Sequence, residues 1–129
     1  MNLIEGLNIE YVHVYESELD AKMNLTKFHD QTFGYLNGGA TIAFGETIAG
    51  YASNQKINKD EMAVGQNVTA NHMKPKKIEG YIIAKGKLMH KGKTSHVWSI
   101  EMFDENKVLI SYLTITNSII KNRHFSEER

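Results

Sequence analysis

Residues 38–53 read Gly-Gly-Ala-Thr-Ile-Ala-Phe-Gly-Glu-Thr-Ile-Ala-Gly-Tyr-Ala-Ser, and no other segment constrains the fold so strongly. As a helix the segment makes about four turns. Its apolar residues fall on nearly every face, and a helix apolar all round is normally buried. Each interior glycine costs about 1 kcal/mol of helix propensity relative to alanine. Close packing against another layer has to offset that loss.

The other layer is legible as strands. Leu19, Ala21, Met23 and Leu25 alternate with polar Asp20, Lys22 and Asn24, the period of a half-buried strand. Residues 9–15, rich in valine and tyrosine, read as its partner across a turn at residues 15–18. Four further strands are expected at residues 63–73, 80–90, 95–103 and 108–117. Lys91-Gly92-Lys93 and Asp104-Glu105-Asn106-Lys107 are hairpin turns between the last three. Connections this short imply antiparallel neighbours. Lys74-Pro75-Lys76-Lys77, which holds the single proline, reads as a turn. One buried helix among about six antiparallel strands is an α+β arrangement, with the sheet wrapped around the helix.

The chain of 129 residues has the size of one domain, with a short tail expected after about residue 118. It contains no cysteine, which excludes disulfides, thiolate zinc ligands and a thiol nucleophile. The first six residues lack the basic start and apolar run of a leader peptide. No stretch approaches the roughly 20 apolar residues that span a bilayer. The cytoplasm is the expected location, without a membrane partner.

Glu46 is the only charged residue between Gln31 and Gln55. Burying a lone carboxylate is expensive, so two readings stand. Either it occupies a wet stripe of the helix, or it sits in an apolar pocket where desolvation raises its basicity. Paired Gly38 and Gly39 lie where the helix starts, and its first amides have no internal partners. Such amides suit the polarisation of a carbonyl oxygen that becomes negative during acyl transfer.

Charge is balanced, with 15 basic and 15 acidic residues, but not evenly spread. Lys74, Lys76, Lys77, Lys85, Lys87, Lys91 and Lys93 lie between Asn71 and His96, with Glu79 as the only acid. Such a run either decorates solvated strand faces or attracts phosphate groups. The six histidines show no zinc-site spacing, and no metal is expected.

The string Gln31-Thr32-Phe33-Gly34-Tyr35-Leu36-Asn37-Gly38-Gly39-Ala40-Thr41, followed by Glu46, resembles the signature of hotdog-fold acyl-CoA thioesterases. More narrowly, it is similar to the PaaI-like branch. That branch holds the 1,4-dihydroxy-2-naphthoyl-CoA thioesterases of menaquinone synthesis and the Arthrobacter-type 4-hydroxybenzoyl-CoA thioesterases. Asn71-His72 and the segment from His96 to Asp104 extend the likeness, which covers residues 7 to 117.

The resemblance implies a hotdog fold and hydrolysis of an aromatic or bulky acyl-CoA. Glu46 would be the nucleophile or general base, and the Gly38 amide would polarise the carbonyl. Gln31, from the facing subunit, would orient the carbonyl or the water. Asn37, Gly39, Thr47, Gly50 and His72 would line the substrate site. Lys74 and the turn Lys91-Gly92-Lys93-Thr94 would meet the phosphates of coenzyme A. That molecule is part of the substrate, so no separate cofactor is implied. A homodimer at minimum, and a homotetramer by family habit, would build each site between subunits, with no nucleic acid involved. Two departures stand out. Asn37 replaces the histidine usual before the paired glycines, and Gly50 lacks the small hydroxyl that relatives place beside the carboxylate. A hotdog enoyl-CoA hydratase and a non-catalytic acyl-CoA-binding protein are the alternative functions.

Overall fold

A computed structural model describes residues 1–122 of the chain. A short helix α1 (Leu3–Leu7) leads into strands β1 (Ile9–Val14) and β2 (Glu18–Asn24). After a 3-10 turn at Lys27–His29 comes the long helix α2 (Gly38–Asn54). Strands β3 (Glu61–His72), β4 (Tyr81–Lys91), β5 (Ser95–Phe103) and β6 (Leu109–Lys121) complete the fold. All six strands form one antiparallel sheet in the order β1-β2-β4-β5-β6-β3. The helix packs on one face of that sheet, mainly against β3 and β6.

The expected elements are present, with ends shifted by a few residues. The alternation in β2 is realised as written, since Leu19, Ala21, Met23 and Leu25 are all buried. Strand β6 continues to Lys121, past the point where a tail was expected to begin. The rest of that tail, residues 123–129, lies outside the described residues. Helix α1 has no periodic signal and was not foreseen; Asn2 and Glu5 cap its start reciprocally.

The strand order was not legible either. Short turns join β4, β5 and β6 as expected, but β3 runs along the far edge beside β6. The segment 73–80 then carries the chain back to β4, which pairs with β2. This segment is an irregular connection rather than a tight turn, and Lys77 bridges to Tyr35 within it.

Only one face of α2 is buried within the chain: Thr41, Phe44, Gly45, Ile48, Ala49, Ala52 and Ser53. The expectation of burial all round is therefore corrected. Gly45 explains the small residues, because a Cβ there would come within 2.8 Å of Leu113 and 3.1 Å of Ile115. A side chain at this position would force Leu113 and Ile115 on β6 to shift, so the helix sits close on that strand.

The last turn of α2 is anchored through Ser53. Its Oγ lies 2.8 Å from Trp98 Nε1, 2.8 Å from His96 Nδ1 and 3.2 Å from Asn117 Nδ2. Indole and amide N–H groups only donate, so the hydroxyl accepts both and gives its own proton to Nδ1. His96 is thus held as the neutral ring with its proton on Nε2. Burial pushes its pKa below the ordinary 6.5, reinforced by Lys91, Lys56 and His90 and opposed by Glu61.

As pH falls, the unfolded chain takes up the His96 proton before the folded one does. Stability from this group is therefore complete above about pH 6.5 and declines below it. The thermal midpoint should stay level above neutrality and fall towards about pH 5.5, with a shallower fall in His96→Gln. Parallel slopes in the two proteins would remove His96 as a source of the acid sensitivity.

Candidate active site

Helix α2 begins at a built entry. Asn37 takes extended backbone angles, and its Oδ1 accepts the Gly39 amide at 2.8 Å. Its carbonyl oxygen accepts the amides of Ala40 at 3.0 Å and Thr41 at 3.2 Å. Of the four amides in this first turn, the one that these bonds leave over is Gly38. Asparagine in this position is thus a helix cap. The preceding loop turns at Gly34 (φ 82°), and the Gln31 side chain folds back to accept the Phe33 amide.

A cleft of about 200 Å³ opens at this end of α2. Gly38, Thr41, His72, Lys74 and Ser111 are among its walls. His72, the last residue of β3, bonds through Nδ1 to Ser111 Oγ at 2.9 Å. Its Nε2 stands 2.9 Å from where a Cβ on Gly38 would lie. The glycine therefore makes room for the imidazole at the helix entry. The structure brings Gly38, His72 and Lys74 together in this cleft.

Glu46 is not in that cleft. It lies eight residues further along α2, about 12 Å from Gly38 on a straight helix. The residue is exposed, on the open stripe with Thr47 and Gly50, so the wet-stripe reading describes the single chain. The apolar-pocket reading is corrected to that extent. Its carboxylate reaches over the sheet edge to Gly65, where a Cβ would come within 2.9 Å of Oε2. Gly65 marks a register shift in β3, a signal that an isolated glycine in a strand carries. Gly50 faces open space, with nothing within 4 Å of a would-be Cβ.

The lysine run is dispersed in space. Lys76 is buried and donates to the Glu79 carbonyl at 2.6 Å, pairing with Glu105 at 3.2 Å. Lys85 pairs with Asp20 at 3.4 Å on the outer sheet face. Lys91, Gly92 and Lys93 line a different cleft of about 330 Å³ with Lys56 and His96. That cleft is at the far end of α2, about 25 Å along the helix from Gly38. Thr94 is exposed beside it, its carbonyl bonded to the Ile119 amide at 2.9 Å. Within one chain, then, Lys74 and the β4–β5 turn belong to separate places. Among the described residues no three His, Asp or Glu side chains gather closely enough to hold a metal ion. No helix among them is long and apolar enough to cross a membrane.

The family model described as the thioesterase superfamily matches residues 33–111, which span helix α2 and strands β3 to β5. The chain belongs to the thioesterase superfamily. Thioester hydrolysis is the enzyme class of that membership. The 1,4-dihydroxy-2-naphthoyl-CoA hydrolase of Listeria monocytogenes is 32% identical, over 95% of this chain and 99% of that protein. The enzyme of the same name from Escherichia coli is 31% identical, over 92% of this chain and 87% of its own length. Among solved structures, yhdA of Lactococcus lactis matches with a TM-score of 0.91 and 43% identity, covering 94% and 98% of the two chains. Thioesterase HI1161 of Haemophilus influenzae gives 0.85 and 28%, covering 92% and 82%. The six-stranded sheet with one long helix is the hotdog fold of these thioesterases.

The Asn37 cap has a measurable weight. Asn37→Ala should lower stability by about 1 kcal/mol, the cost of losing a helix N-cap. Urea midpoints at unchanged slope would check this; an unaltered midpoint would mean that Oδ1 contributes nothing to the helix start.

Proposed function

We propose that this protein hydrolyses acyl-CoA thioesters, with Glu46 of one subunit acting opposite the α2 entry of a second. The observation that carries the reading is the position of Glu46. It is the one carboxylate on the open stripe of α2, exposed and about 12 Å from its own Gly38 amide. A reacting carbonyl touches both its polarising donor and its attacking group at about 3 Å. One chain cannot span that gap. Two helices running antiparallel about a twofold axis set Gly38 of each against Glu46 of the other, which supports a homodimer at minimum. A homotetramer, as in the family, would pair two such dimers.

In this site Glu46 takes a proton from water as the oxygen adds to the thioester carbon, or attacks that carbon directly and is released by water. The carbonyl oxygen gathers negative charge against the Gly38 amide at the positive end of α2. The tetrahedral species collapses, the carbon–sulfur bond breaks, and coenzyme A leaves as a thiol carrying the proton. The other product is a carboxylic acid. Gln31 approaches from the facing loop to orient carbonyl or water. Thr47 stands next to Glu46 and supplies a hydroxyl that Gly50 does not. His72, Asn37 and Gly39 border the acyl group. Lys74, and separately Lys91, Gly92, Lys93 and Thr94, offer charge and amides to the phosphates of coenzyme A.

An aromatic or bulky acyl group suits the relatives named for 1,4-dihydroxy-2-naphthoyl-CoA. A Staphylococcus aureus thioesterase, 31% identical, has been solved with a glutamine changed to alanine, and again with a glutamate so changed. These are the residue types assigned here to Gln31 and Glu46. No cofactor enters the reaction, and the cytoplasm is where acyl-CoA substrates would be met.

Thiol release from a panel of aromatic and aliphatic acyl-CoAs tests the activity. Glu46→Gln should lower kcat by about 10²–10⁴-fold, the usual weight of a positioned acid–base group, with the thermal midpoint nearly unchanged. A kcat equal to that of the parent protein would sink the assignment.

A further inference from the structure

Ser111 is a hydroxyl in a row of β6 whose neighbours on the same face include Leu113 and Ile115, both fully buried. The side chain is itself buried, with 3% of its surface exposed. A buried hydroxyl keeps its proton bonded, because an unmet donor costs more than an unmet lone pair. The acceptor within reach is His72 Nδ1, at 2.9 Å. Ser111 and His72 are directly opposed in the β3–β6 pairing, so backbone hydrogen bonds fix the two ends of this contact.

The consequence falls on the other ring nitrogen. With Nδ1 accepting, the neutral imidazole carries its proton on Nε2. That nitrogen is turned towards Gly38 at the mouth of α2. The Gly38 amide is the one that the Asn37 cap leaves over. Two N–H groups, one from the backbone and one from the ring, thus border the same cleft.

We propose that Ser111 is a positioning residue, which fixes the ring and tautomer of His72 so that Nε2–H joins the Gly38 amide in holding the substrate's carbonyl oxygen. The catalytic half of this statement rests on the thioester hydrolysis proposed above; the tautomer half does not. Ser111 touches no substrate and acts only through the imidazole. Without the Ser111 hydroxyl the ring could take the Nδ1–H tautomer, whose Nε2 would present a lone pair, not a proton, to that oxygen.

Two measurements test it. Long-range ¹H–¹⁵N spectra at about pH 8, above the ordinary imidazole range, read the tautomer directly once His72 is assigned from the His72→Ala spectrum. The expected result is a protonated Nε2 and a bare Nδ1, with Ser111→Ala shifting towards a mixture and Ser111→Thr restoring the parent pattern. A proton on Nδ1 in the parent protein would overturn the proposal whether or not the protein hydrolyses thioesters. The second measurement is a double-mutant cycle on kcat and KM. Ser111→Ala should lower kcat about tenfold, less than the 10²–10³ of deleting an oxyanion donor outright, with little change in KM. In the His72→Ala background the same substitution should change kcat by less than about twofold. Equal losses in both backgrounds would make Ser111 a purely structural residue.

Discussion

Everything in this structure depends on how closely α2 lies against the sheet. Gly45 stands where any side chain would meet Leu113 and Ile115, so the helix rests directly on β6. Ser53 then locks its far end by joining His96, Trp98 and Asn117 through one hydroxyl. A helix held at both its middle and its end has a fixed direction. Its first amide and its single carboxylate therefore point from known places. Glycines that are costly in an isolated helix become the condition for its contact with the sheet.

The same rigidity keeps apart two groups that an acyl-transfer site needs together. A straight helix cannot fold its own carboxylate back to its own N-terminus. The stripe carrying Glu46, Thr47 and Gly50 is open in the single chain, and β3 beside it is a sheet edge. The homodimer proposed above would cover both features and bury Glu46, which is exposed in the single chain. Its carboxylate already lies close over Gly65 of β3.

Around the helix entry, polar groups are paired with unusual economy. Asn37 caps Gly39, His72 bonds Ser111, and Lys76 bonds the carbonyls of its own loop while meeting Glu105. The Lys76–Glu105 pair ties the irregular segment 73–80, which supplies Lys74 to the cleft, to the β5–β6 turn. One member of the lysine run is thereby structural, and a local count of positive charge overstates what a phosphate would meet.

The sequence by itself determined the long helix, the six strands and the buried face of β2. Period-two alternation from Leu19 to Leu25 and the small and apolar run from Gly38 to Ser53, interrupted by Glu46, are local patterns, and local sterics enforce them. It also singled out Glu46, because one charge among 25 residues is visible without coordinates. Only the tertiary structure decided which strands are neighbours, since β3 joins β6 through pairing of residues some 40 to 60 positions apart. It likewise decided that Ser111 meets His72, that Lys74 and the Lys91–Lys93 turn line separate clefts, and that Glu46 is exposed in the single chain. The physical reason is the same in each case. A side chain's face follows from its own strand or helix, but its partner follows from how the sheet closes around α2.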